Sequence, residues 1–170
     1  MKMSRKIVIA GGDGYVGWPL SLRLSNLYPE DKIIIIDNLV KREIIHNLGL
    51  KSILPIENIN NRISIANEVF QSQNLSFKKI DVASPEIANF IAIEKPDIFY
   101  HLGQIPSAPY SMKNVDQAVH TISNNELGNT RLVWALRKYS PDCHLIKLGS
   151  FGEYYSEDLD IAEGYFQPSY

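Results

Sequence analysis

The 170-residue sequence is poor in three things: it has one cysteine, no cationic excess and no long apolar run. Each scarcity closes a class. Cys143 has no second cysteine to pair with, so an internal disulfide is excluded and a reducing compartment fits. Lys and Arg number 17 against 19 Asp and Glu, a net charge of −2 that offers no basic face for nucleic acid. No stretch approaches the roughly 20 apolar residues of a membrane helix. Lys2, Arg5 and Lys6 precede an apolar run, as in a secretory leader. That run meets a glycine cluster after about five residues, shorter than a leader requires, and reads as a strand. A cytoplasmic protein without membrane or nucleic-acid partners is expected. His144 beside Cys143 raises a metal or nucleophile role, but a small residue entering a strand explains Cys143 better, and no metal is expected.

What is present is organised around Lys6-Ile-Val-Ile-Ala10 followed by Gly11-Gly-Asp-Gly-Tyr-Val-Gly17. A strand, a tight turn and an amphipathic helix from Gly14 to about Tyr28 are implied. The glycines read as 11, 14 and 17 or as 12, 14 and 17, with the same physics in either frame. One glycine permits the turn, one lets backbone approach a ligand, and one lets the helix pack against the strand. Free N–H groups at the positive helix end would then face a pyrophosphate. Lys32-Ile-Ile-Ile-Ile-Asp37 is a second buried strand, and its acid, 20 residues after Gly17, stands where a carboxylate takes adenosine ribose hydroxyls. Capping of the next segment is the plainer alternative for Asp37. Lys41 and Arg42 could hold a 2′-phosphate, whereas Asp37 would repel one; NAD is favoured over NADP.

Further along, helices are expected over 41–50 and 63–73, with Pro55 and 58–61 between them. A strand is expected over 77–81, a helix from Pro85 to Glu94, and a strand over 97–101. One long helix is expected over 115–139, with Leu127, Leu132, Val133, Ala135 and Leu136 facing the core, and a final strand over 144–148. Alternating strands and helices imply a Rossmann-type, doubly wound α/β fold with a parallel sheet. Gly11 to Gly17, Asp37, Asp81, Leu102 to Gln104 and Ser150 all fall at carboxyl ends of expected strands, where such folds bind ligands.

Beginning at His101-Leu-Gly-Gln-Ile-Pro-Ser-Ala-Pro-Tyr-Ser-Met112, the sequence resembles the UDP-sulfoquinovose synthase family of extended short-chain dehydrogenase/reductases. Gly11 to Trp18, Asp37 to Arg42, His46 to Leu50, Asn124-Asn125, Cys143 to Ser150, Gly152 to Tyr154 and Glu163 to Tyr165 share in the likeness. The glycine turn and Asp37 mark the broad superfamily; Gly17-Trp18 and Ser107 to Met112 are more restrictive. The resemblance implies NAD as cofactor, with UDP-glucose and a sulfite donor as substrates. Oxidation at sugar C4 would acidify C5–H, water would leave from C5 and C6, sulfite would add at C6, and the hydride would return to C4. It further implies that Gly11, Gly14, Tyr15, Val16 and Gly17 line the pyrophosphate. Asp37 and Asn38, with Arg42 close by, would serve the adenosine ribose. Asp81 and Val82 would serve the adenine, and Leu102, Gly103 and Gln104 the nicotinamide. Asn125 would tie the central helix to the cofactor region, and Ser150 would be the catalytic hydroxyl. Ser107, Tyr110 and Glu153 are substrate-side candidates, and a homodimer through the helix over 115–139 is a further implication.

Two departures matter. Phe151-Gly152 stand where sugar-nucleotide 4,6-dehydratases carry Asp-Glu, which argues against a plain dehydratase. Gln104-Ile105-Pro106 replace the Glu-Gln-Arg of plant-type members, removing an arginine that could hold an anion and leaving the sulfur donor open. The superfamily base is a Tyr with a Lys four residues later. The single such string, Tyr28 to Lys32, contains Pro29 and precedes the second strand. The chain is therefore expected to be the cofactor portion of a longer enzyme, truncated before the Tyr/Lys helix and the substrate-binding subdomain, and inactive alone. A UDP-glucose 4-epimerase and a non-catalytic NAD-binding module are the alternatives.

Overall fold

A computed structural model describes residues 4–106 and 108–149. Five parallel strands form one sheet: β1 (Lys6–Ala10), β2 (Lys32–Asp37), β3 (Leu75–Lys79), β4 (Ile98–His101) and β5 (His144–Lys147), in the order β3-β2-β1-β4-β5. The helices are α1 (Gly17–Leu27), α2 (Val40–Asn47), α3 (Ile59–Val69), α4 (Glu86–Glu94), α5 (Ala108–Ser111), α6 (Val115–Ile122) and α7 (Gly128–Tyr139). This is the Rossmann-type doubly wound sheet that the alternation implies.

β1 and β2 are apolar between their charged ends, over Ile7–Ala10 and Ile33–Ile36, because both of their faces are covered there. Ile7, Ile9, Ile33 and Ile35 pack with α1 and α3, whereas Val8, Ala10, Ile34 and Ile36 pack with α4 and α7. On α1 the fully buried seam is Gly17, Ser21 and Ser25, one small residue every four, while Leu20, Leu22 and Leu24 pack along its margins. Small side chains let the helix axis approach the sheet. Ser21 satisfies its hydroxyl by donating to the Gly17 carbonyl at 2.8 Å. Pro19 is the third helical residue, where the missing N–H would have had no intrahelical partner.

Several expected boundaries move. β3 begins two residues earlier than expected, at Leu75, whose carbonyl and N–H are both held by the Asn67 side chain at 3.1 and 3.2 Å. α3 begins at Ile59, because the Asn58 side chain accepts from Asn61 N–H and caps it. The expected helix over 115–139 is broken by a π-helical turn, Ser123–Leu127. After that turn Leu132, Ala135 and Leu136 face the core, but Leu127 and Val133, expected there, are 45% and 51% exposed.

Candidate functional site

At the carboxyl end of β1 the chain turns at Gly11, whose φ of +78° disfavours any residue with a side chain. A Cβ on Gly11 would come within 2.7 Å of the Gly103 nitrogen, and one on Gly17 within 2.2 Å of the Gly11 carbonyl oxygen. The turn, the start of α1 and the segment after β4 therefore meet backbone to backbone. Gly12 packs against Ile35, so both glycine frames are occupied for steric reasons. Gly14 is less confined, its nearest neighbour being the Gly11 oxygen at 3.0 Å from a built Cβ.

α1 has no side-chain cap, and the N–H groups of Tyr15 and Val16 have no partner among the described residues. Tyr15 is 90% exposed. Unpaired donors at the positive end of an 11-residue helix are an arrangement that favours an anion.

Asp37 closes β2 beside this turn. Its carboxylate accepts from the N–H of Asp13 at 3.1 Å and of Leu39 at 2.7 Å. Leu39 has a left-handed φ of +63°, a strained conformation for a branched residue, and its bond to Asp37 helps hold it there. Burial raises the Asp37 pKa, outweighing the two N–H bonds that lower it. The Asn38 side chain accepts from Val40 N–H at 3.0 Å and caps the start of α2.

Arg42, on α2, does not reach outward. Its guanidinium binds the carboxylate of Asp13, within the glycine turn, through Nε and through Nη2, the latter at 2.7 Å. Arg62 of α3 joins the same carboxylate at 2.8 Å and lies over the Trp18 ring at 4.0 Å. Asp13, Arg62 and Trp18 were not singled out as a cluster by sequence reasoning. The helix contributing Arg62 follows a long connection, and no local pattern links it to the turn.

The remaining expected positions also gather at the carboxyl edge. The Asp81 carboxylate accepts from Ala83 N–H at 2.8 Å, which shapes the turn after β3, and Arg131 donates to the Ala83 carbonyl. The Val82 side chain is buried in the core, so only its backbone faces the edge. Leu102 N–H donates to the Ala10 carbonyl at 2.9 Å, which fixes the Leu102–Gln104 segment against the turn. Asn125, in the π turn, accepts from Ile105 N–H at 2.9 Å and donates to its carbonyl at 3.2 Å. That pairing joins the π turn to the segment that follows β4, and π turns are frequent at functional sites. His101, fully buried, shares Asn129 Oδ1 with Gln104, at 3.0 and 3.4 Å, and burial lowers its pKa. Tyr110 on α5 is bonded to His120 on α6 at 3.0 Å. Ser107, Ser150 and Glu153 lie outside the described residues. Tyr28 caps the far end of α1 beside Arg5, at the amino edge of the sheet, so the Tyr28/Lys32 string is remote from the turn.

The residues fit an adenine dinucleotide: free N–H groups on a helix start, a turn too tight for side chains, and an acid at the next strand's end. The chain belongs to the NAD dependent epimerase/dehydratase family, which it matches over residues 7–168, and NAD is the cofactor of that family. Within it, the chain is 39% identical over 167 residues to the chloroplastic UDP-sulfoquinovose synthase of Spinacia oleracea. It is 34% identical over 162 residues to the UDP-sulfoquinovose synthase of Sulfolobus acidocaldarius. Each match covers 95% of this chain but 33% and 40% of the relative, so the chain spans little more than a third of their length. The UDP-glucose-4-epimerase of Stenotrophomonas maltophila, solved with NAD and formylated UDP-arabinopyranose, superposes with a TM-score of 0.65 at 16% identity. That match covers 91% of this chain and 40% of that one, a likeness of fold. Among the described residues no helix is long and apolar enough to cross a membrane, and no cluster of metal-ligating side chains occurs.

Proposed function

We propose that the polypeptide carrying this domain converts UDP-glucose and sulfite to UDP-sulfoquinovose, with residues 1–170 supplying the dinucleotide half of the site and the base lying beyond residue 170. The observation that carries this reading is the 39% identity to the spinach synthase across 95% of the chain, coupled to a turn and acid of the right form.

NAD would accept a hydride from sugar C4 and return it there. Tyr15 and Val16 N–H groups hold the pyrophosphate between Gly11, Gly14 and Gly17. Asp37, with Asn38, takes the ribose hydroxyls: a carboxylate already raised in pKa by burial gains from the added donors. Backbone at Asp81 and Val82 borders the adenine, and Leu102, Gly103 and Gln104 run beside the nicotinamide, positioned by Asn125. Ser150 would bind the C4 oxygen while a base removes its proton, and Ser107, Tyr110 and Glu153 are the candidates for binding the sugar nucleotide. The ketone at C4 acidifies C5–H, water leaves across C5 and C6, the sulfur of sulfite adds to C6 as a proton returns to C5, and C4 would then be reduced by the hydride it gave up. Exclusion of water protects the unsaturated sugar meanwhile. Val115, Val119 and Ile122, 72%, 56% and 63% exposed along α6, support self-association through that helix.

The 4-epimerase likeness in fold and the absent arginine at Gln104-Ile105-Pro106 favour one second reading, a UDP-glucose 4-epimerase. Full-length protein is incubated with UDP-glucose, with and without sulfite; a sulfonated product is identified by mass, and UDP-galactose is told from UDP-glucose by proton NMR of the sugar. A carbon–sulfur product is expected from the full-length protein only when sulfite is present, and none from residues 1–170 alone. UDP-galactose without sulfite, and no sulfonated product with it, replaces the synthase by the epimerase.

A further inference from the structure

Asp13 receives two guanidinium groups from two different helices, directly beside the acid that is to bind ribose. Its own N–H donates to Asp37 at 3.1 Å, while its carboxylate holds Arg42 and Arg62. Neither arginine is placed there casually. Arg62 is stacked on Trp18 at 4.0 Å and its side chain is 16% exposed. Arg42 also donates to the Glu57 carbonyl at 3.2 Å. The four charged groups, Asp13, Asp37, Arg42 and Arg62, sum to zero.

A 2′-phosphate on the adenosine ribose would enter next to Asp37, where two guanidinium groups would suit it as bidentate donors. In this structure Arg42 gives Nε and Nη2 and Arg62 gives Nη1 to Asp13, whose charge offsets theirs, and the phosphate would meet two carboxylates as well. We infer that Asp13 is the specificity-determining residue of the dinucleotide site: by neutralising Arg42 and Arg62 it keeps the site for a 2′-hydroxyl and excludes the 2′-phosphate. The inference rests on the dinucleotide reading of the turn and assigns the discrimination to a side chain inside it. Without the Asp13 charge, the same arginines, both bound to the residue whose N–H the ribose acid accepts, become a phosphate site.

The test measures binding by calorimetry, independent of turnover, with the full-length protein. NAD and NADP are titrated into the unmodified protein and into Asp13→Asn and Asp13→Ser, which keep the N–H bond to Asp37. Adenosine 5′-monophosphate and adenosine 2′,5′-bisphosphate serve as smaller probes. The ratio of NADP to NAD dissociation constants is expected to fall about tenfold or more in both variants, with the same trend for the smaller pair. Adding Arg42→Ala to Asp13→Asn should cancel most of that gain. A ratio unchanged while NAD still binds overturns the role given to Asp13. So does loss of all four nucleotides in both variants, which would make Asp13 a strut of the loop. Failure of the unmodified protein to bind NAD overturns the dinucleotide reading itself, a distinct result.

Discussion

The two edges of the sheet each hold a nearly buried acid, and they treat it in opposite ways. At the amino edge Glu94, 5% exposed, is surrounded by the ammonium groups of Lys6, Lys32 and Lys78 at 3.3, 3.4 and 2.6 Å. Burial alone would raise its pKa, but the hydrogen bonds of Lys78 and Lys6 and the charge of Lys32 pull it down to about 2. At the carboxyl edge Asp37 has two backbone N–H donors and the Asp13 carboxylate for company, and burial keeps its pKa raised. One acid is saturated with cations and finished; the other is desolvated and under-compensated. Only the second gains by accepting further hydrogen bonds, which suits it to the ribose-binding role proposed for it.

The comparison breaks most visibly at Glu94. A carboxyl whose folded pKa lies below its unfolded value contributes stability that is present above about pH 4.5 and is lost as pH falls through about 2. The shift corresponds to roughly 3 kcal/mol, and the half-exposed lysines, free to rehydrate, reduce the expected cost of Glu94→Gln to about 2 kcal/mol at pH 7. Urea unfolding of both proteins should show that gap at pH 7 and its progressive closure between pH 4.5 and pH 2. NAD affinity should stay within about twofold. A gap independent of pH would mean that Glu94 acts by packing and not by charge.

Asp37→Asn inverts the result. The raised pKa means that the ionised group gives the fold nothing at neutral pH, and one of the two N–H bonds survives the change, so unfolding free energy should move by less than about 1 kcal/mol. NAD affinity should fall about tenfold, because an amide oxygen accepts ribose hydroxyls more weakly than a carboxylate. Fluorescence titration with NAD reads the second quantity and urea unfolding the first. Equal losses in both would erase the distinction between the edges.

How much of this was legible in the sequence follows from the range of each interaction. β1, the turn and β2 could be read because their signals are local: an apolar run, glycines at fixed spacing, an acid at the strand's end. Asp37 could be placed at the end of β2 for that reason, whereas Asn125 is a candidate through the family likeness alone. Arg62 was not, since it meets Asp13 across 49 residues of sequence through a helix whose start depends on the Asn58 cap. The π turn at Ser123–Leu127 was equally hidden, because an uninterrupted helix and one with a single wider turn share almost the same apolar period. On α1 the buried seam is made by Gly17, Ser21 and Ser25, and pattern reading scores the two serines as polar.

The smallest effect sharpens the contrast at the amino edge, where bonds are duplicated. Asn74 Oδ1 accepts from both Ser25 at 2.6 Å and Ser72 at 3.0 Å, while its amide donates to the Ser25 and Tyr28 carbonyls. Ser72→Ala removes one of two donors to the same oxygen and leaves no buried acceptor unpaired, so only the net worth of one hydrogen bond is at stake, about 0.5 kcal/mol. A drop in melting temperature below about 2 °C is expected by calorimetry, with NAD affinity unchanged. At the carboxyl edge Asn125 holds both backbone groups of Ile105, with no second side chain on either among the described residues. Duplicated bonds around Asn74 therefore buffer the loss of one, whereas loss of the Asn125 amide would leave Ile105 with neither.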